Sequence, residues 1–171
     1  GNDSSSSVKV QSSNQVVREI TVEKGVFSAT ISNLDGGLAY SITVTPIGKT
    51  DANSAKTVVV TLPPSMPGDL QVSQVGKSNI RVSWSNQNSE FQYRVAVISA
   101  GEPTRTVVTN KSSIEIDVKP GVEYEVLLVA IGAGDAISAA AATKIKVAAT
   151  PTTTSINTPT FSVYYGAKKF I

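Results

Sequence analysis

The sequence predicts an all-β protein built as two small β-sandwiches in tandem. Apolar and polar residues alternate along most of the chain, and turn residues recur every eight to twelve positions, leaving no room for amphipathic helices. A pattern, Gly-x-x-Tyr-x-apolar-x-apolar-x-x-x-Gly, also occurs twice, once from Gly37 through Tyr40 to Gly48 and once from Gly121 through Tyr124 to Gly132. The two tyrosines are 84 residues apart, close to the ~100 residues of one sandwich domain, so they mark the same strand of two successive units.

The second unit reads as seven strands. They cover 70–75, 80–84, 91–98, 105–109, 114–118, 124–131 and 143–147. A period of two places Ile80, Val82 and Trp84 on one face of the second strand and Arg81 and Ser83 on the other, so the first set is expected to face the core. Trp84 should bury about 150–250 Å², and its replacement by alanine should cost about 3–5 kcal/mol.

Particular residues of this unit fall into a known order. Pro67-Gly68-Asp69-Leu70 opens it, Trp84 lies in the second strand, Tyr93 in the third, and Lys119-Pro120-Gly121-Val122-Glu123-Tyr124 precedes the sixth. In these features residues 67–149 resemble the fibronectin type III family, whose fold is an immunoglobulin-like β-sandwich. The resemblance implies that Tyr124 forms a tyrosine corner, its ring packed inward and its hydroxyl bonded to nearby backbone. It assigns Trp84, Tyr93, Tyr40 and Tyr124 to structural cores rather than to ligand contact.

The first unit differs. Its expected strands are 8–10, 16–22, 27–31, 38–45 and 57–62. With Tyr40 aligned on Tyr124 they resemble the third to seventh strands of the family, and the first two strands and the tryptophan have no counterpart. Such a unit should leave the 27–31 strand with an uncovered inner face and unpaired backbone groups that invite a partner. The expected organisation is therefore 1–65 as an incomplete unit, 66–149 as a complete one, and 150–171 as a Thr/Pro-rich linker with an aromatic tail. Pro63-Pro64-Ser65-Met66-Pro67 restrains the hinge between the units.

The tail carries Phe161, Tyr164, Tyr165 and Phe170, four of the chain's ten aromatic residues. Alternation sets Phe161, Val163 and Tyr165 on one side of an expected strand over 160–165. Strand addition to the first unit of the same or a neighbouring molecule is one reading. The opening of a third unit is the other.

Composition narrows the chemistry. The 171 residues contain no cysteine and no histidine, which removes disulfides, thiol nucleophiles, the usual zinc ligands and the commonest general base. A net charge of +2 makes no case for nucleic acid, and no apolar run is long enough for a membrane span. Glu115 and Asp117 alternate with Ile114, Ile116 and Val118, and Glu123 and Glu125 flank Tyr124. These carboxylates are expected on outward, solvated faces. No nucleophile elbow, phosphate loop or calcium loop is present. Neither an enzyme nor a cofactor is expected.

Recognition is expected instead from loops on a rigid frame. Candidate contacts are Lys49, Asp51 and Asn53 in the first unit and Asp135 in the second. The second loop holds Ala133-Gly134-Asp135 where some family members carry Arg-Gly-Asp, so integrin binding is not carried over. Asn2-Asp3-Ser4 and Asn110-Lys111-Ser112 are glycosylation sequons, relevant only in a source that glycosylates secreted proteins. The Ser-rich start, Asn2 to Ser7, resembles the tether of bacterial surface lipoproteins, although the lipidated cysteine is not in this chain. A plain flexible terminus is the alternative. The resemblance implies a binding, adhesion or spacer region outside the cytoplasm that contacts proteins or glycans. The alternative is a structural component, such as a phage tail or fimbrial subunit, that forms homo-oligomers by strand addition.

Overall fold

Alternating Ile80, Val82 and Trp84, Tyr93, Val95 and Val97, and Tyr124, Val126, Leu128 and Ala130 meet as one apolar interior, each of them at most 5 % exposed. The computed structural model, which describes residues 4–48, 54–86 and 88–149, distributes these side chains over two facing antiparallel sheets. The strands are β5 (Gln71–Val75), β6 (Asn79–Ser83), β7 (Gln92–Ile98), β8 (Arg105–Thr109), β9 (Ser113–Asp117), β10 (Glu123–Ile131) and β11 (Ala141–Lys146). The order β11-β10-β7-β8 forms one sheet and β5-β6-β9 the other. Each lies within two residues of its expected position.

The N-terminal unit has a single sheet among the described residues. It contains β1 (Ser6–Ser12), β2 (Gln15–Val22), β3 (Ala39–Pro46) and β4 (Lys56–Thr61) in the order β2-β1-β3-β4. Ser12 pairs with Gln15 around a two-residue turn. Both turn residues, Ser13 and Asn14, have positive φ, as the tight turn whose twist suits a hairpin requires. Pairing of Val8 with Val44, Val10 with Ile42, Ile42 with Val58 and Tyr40 with Val60 sets all these side chains on one inner face. The opposite face carries Lys9, Ser41, Thr43 and Thr57.

The expected strand over 27–31 does not form; this stretch crosses as irregular chain. In the second unit the equivalent strand, β9, exists by pairing with β6, with Ile80 opposite Ile116. Among the described residues the first unit has no equivalent of β6, so backbone groups at 27–31 have no described strand to bond to, and sequence propensity alone does not hold an isolated strand. Phe27 is consequently 81 % exposed. Val8, Val10 and Tyr40 are buried on the sheet's inner face while Val44, Val58 and Val60 are exposed, so the uncovered feature among the described residues is the flank of that face and the edge of β4, rather than a strand at 27–31.

Candidate interaction surfaces and the joint between units

Trp84, Tyr93, Tyr40 and Tyr124 are all buried, and the first two and Tyr124 belong to one apolar cluster. Trp84 and Tyr93 pack with ring centroids 5.4 Å apart and planes tilted by 51°, an arrangement that suits the ring quadrupoles. Tyr93 donates its hydroxyl to Asn86 Oδ1 at 2.8 Å. The buried Trp84 indole N–H has no hydrogen-bond acceptor among the described residues. Both tyrosine corners close over five residues with opposite polarity. Tyr40 Oη donates to the Asp35 carbonyl at 3.0 Å, while Tyr124 Oη accepts the Lys119 amide at 2.9 Å.

The carboxylates lie where alternation placed them. Arg81 bonds Glu115 across β6 and β9 at 2.6 Å, and Asn79 donates to Asp117 at 2.6 Å. Both contacts are on the exposed face. Lys119 pairs with Glu102, an interaction that lowers the Glu102 carboxyl pKa and raises that of the Lys119 ammonium, chiefly through their mutual hydrogen bond. Among the described residues, no three histidine, cysteine or acidic side chains gather as metal ligands, and no helix is long and apolar enough to cross a membrane.

Of the loop candidates, Asp135 is exposed in the short 3₁₀ turn Ala133–Asp135, with φ of 59°. Lys49, Asp51 and Asn53 lie outside the described residues, as do Phe161, Val163 and Tyr165. Two clefts are present near the first unit. One, of about 350 Å³, opens between its inner face and the irregular chain, lined by Val8, Val22, Phe27, Ile31, Ile42 and Val44 among others. The second, of about 420 Å³, lies at the joint, lined by Asp35, Gly36, Leu38, Ser65, Asn88 and Phe91.

Sequence reasoning missed how the units meet. The Gly37 carbonyl accepts the Ala133 amide at 2.8 Å, and a Cβ on Gly132 would lie 2.6 Å from that carbonyl oxygen. Gly37 itself has φ of 79°, and a Cβ there would overlap the Phe91 ring. Thus the first glycine of one motif copy touches the last glycine of the other, backbone against backbone, with Phe91 buried beneath. The repeated glycines were the available signal, but spacing alone does not reveal that two copies touch.

Two facing antiparallel sheets closed by a tyrosine corner define an immunoglobulin-like module in the second unit, and the first unit carries one of those two sheets. Residues 63–156 match the fibronectin type III domain family, and the chain belongs to that family. Its fold is similar to a two-domain fibronectin type III segment from chicken tenascin, with a TM-score of 0.67 and 19 % identity, over 84 % of this chain and 84 % of that one. It is also similar to domains d3–d4 of the rat CD45 extracellular region, with a TM-score of 0.54 and 15 % identity, covering 81 % and 94 % respectively. Both comparisons concern the fold, which is that of two tandem domains.

Proposed function

We propose that the chain is a non-catalytic, extracytoplasmic adhesion or spacer segment that holds loops and sheet edges at a set separation for contact with proteins or glycans. In this reading 1–65 is an incomplete module, 66–149 a complete one and 150–171 a connector with an aromatic strand. The observation that carries it is the joint. Direct backbone contact of Gly37 with Gly132 and Ala133, beside the buried Pro64 and Pro67, restrains how the units swing about each other. The exposed ion pairs described above converge on no reactive centre, which favours a geometric role over a catalytic one. Ser6 and Ser7 of the Ser-rich start belong to β1, so the reading as a surface lipoprotein tether rests on the serines before them.

Glycan and matrix-protein arrays test this reading. Binding that falls more than tenfold when Asp135 and its loop neighbours are exchanged for glycine and serine supports it. Turnover in a general hydrolase screen overturns it. The open cleft over the inner face favours a second reading, in which Phe161, Val163 and Tyr165 of the tail complete the first unit and drive assembly. Light scattering should then show concentration-dependent growth that vanishes on deletion of 156–171.

A further inference from the structure

We infer that β4 is a self-association edge, pairing antiparallel with β4 of a second copy about a two-fold axis at Val59. All six residues of β4 are exposed, and among the described residues the strand ends its sheet with β3 on one side and no strand on the other. Leu62 directs both its N–H and its carbonyl toward β3, bonding Leu38 and Gly37. Backbone groups alternate along a strand, so those of Thr57, Val59 and Thr61 point to the free edge.

The two units treat this edge differently. Tyr40 faces Val60 as Tyr124 faces Ile145, so β4 and β11 are equivalent strands with a fixed register. Position 59 then corresponds to Lys144, and 61 to Lys146. Inward or edge lysines are a common device against edge-to-edge pairing. The second unit has both, and the first has valine and threonine in their places. Lys56 is the only charge on β4.

The strand is complementary to itself. With Val59 facing Val59 of the second copy, Thr57 faces Thr61, Val58 faces Val60 and Lys56 faces Leu62. Every outward N–H finds a carbonyl, Val59 meets Val59 on one face while Val58 meets Val60 on the other, and the two lysines sit at opposite ends. Such an isologous contact closes at a dimer.

A single strand pairing is smaller than the ~1,200 Å² of a stable interface, so sedimentation of the full chain is measured up to about 1 mM. The expected result is a twofold rise in mass, with slowed amide exchange at Thr57, Val59 and Thr61. Val59→Lys, at a position 65 % exposed, should abolish the rise by setting like charges face to face, and so should Val59→Glu. An equimolar mixture of the two variants should regain the twofold mass. That rescue requires position 59 to face itself, which no tail contact or loop contact would produce. A monomer at 1 mM, a dimer that survives Val59→Lys, growth beyond the dimer, or a mixture that stays monomeric overturns the inference. None of these outcomes bears on whether the loops bind a protein or glycan.

Discussion

Tyr40 and Tyr124 occupy the same place in equivalent strands and are equally buried, at 2 % and 1 %, but the burial of the residues beyond them diverges. Four positions along, Leu128 is fully buried while Val44 is 38 % exposed. The strand pattern is the same; the difference is the facing sheet. In the second unit, β5, β6 and β9 supply Val72, Ile80, Val82 and Ile116 to cover β10. In the first, irregular chain covers the centre of the sheet and leaves its flanks open. Alternation therefore decides which way a side chain points, and the opposing layer decides how much free energy that direction contributes.

The largest test of this contrast is a matched truncation. Leu128→Ala should cost about 2–5 kcal/mol by loss of burial and creation of a cavity, whereas Val44→Ala should cost about 1 kcal/mol or less. Urea unfolding followed by Trp84, the single tryptophan, measures the first, and circular dichroism of the whole chain the second. Equal losses would mean that the first unit has a second layer after all.

Glycines sharpen the comparison next. Gly37→Ala meets both a left-handed backbone and the Phe91 ring, so a loss of about 2–4 kcal/mol is expected, with faster exchange of the Ala133 amide. Gly48→Ala has φ of 87° but open space around it, and should cost only about 1 kcal/mol. Similar effects at the two sites would show that the joint is not packed.

The tyrosine hydroxyls should give smaller and matching effects. Tyr124→Phe frees the Lys119 amide and Tyr40→Phe frees the Asp35 carbonyl, each for about 0.5–1.5 kcal/mol. Hydrogen exchange at Lys119 reads the former directly. The smallest effect is the Glu102–Lys119 pair, which has no counterpart described in the first unit. Its carboxyl pKa is lowered below the ordinary 4.5, so its contribution is present at neutral pH and is lost as pH falls through that lowered value. Its ammonium pKa is raised above 10.5, so the contribution also fades as pH rises through the raised value. The pair is exposed and solvent screens it. Glu102→Gln should therefore shift the urea midpoint slightly at pH 7 and not at all once the carboxyl is protonated.

Much of the second unit was legible because its local and tertiary signals agree. Ile80, Val82 and Trp84 alternate, and a sheet is there to receive them. Residues 27–31 carry the same kind of signal, and no strand forms because pairing needs a partner strand that their own composition cannot supply. The candidate surfaces were less legible. Asp135 stands in an exposed loop position, but the joint at Gly37, Phe91 and Gly132 and the edge at Val59 depend on which backbones become neighbours.

The all-β class, the tandem repeat and the inward and outward faces were legible in the residues alone, since each follows from a period of two or from a repeated local motif, while the corner at Tyr124 was implied by the family resemblance. Contacts in three dimensions were needed to learn that the first unit has one sheet among the described residues, that two motif glycines touch, and that no described strand lies beyond β4. Those outcomes are set by contacts between residues far apart in the chain, where steric fit and hydrogen-bond partnership act and local periodicity carries no information.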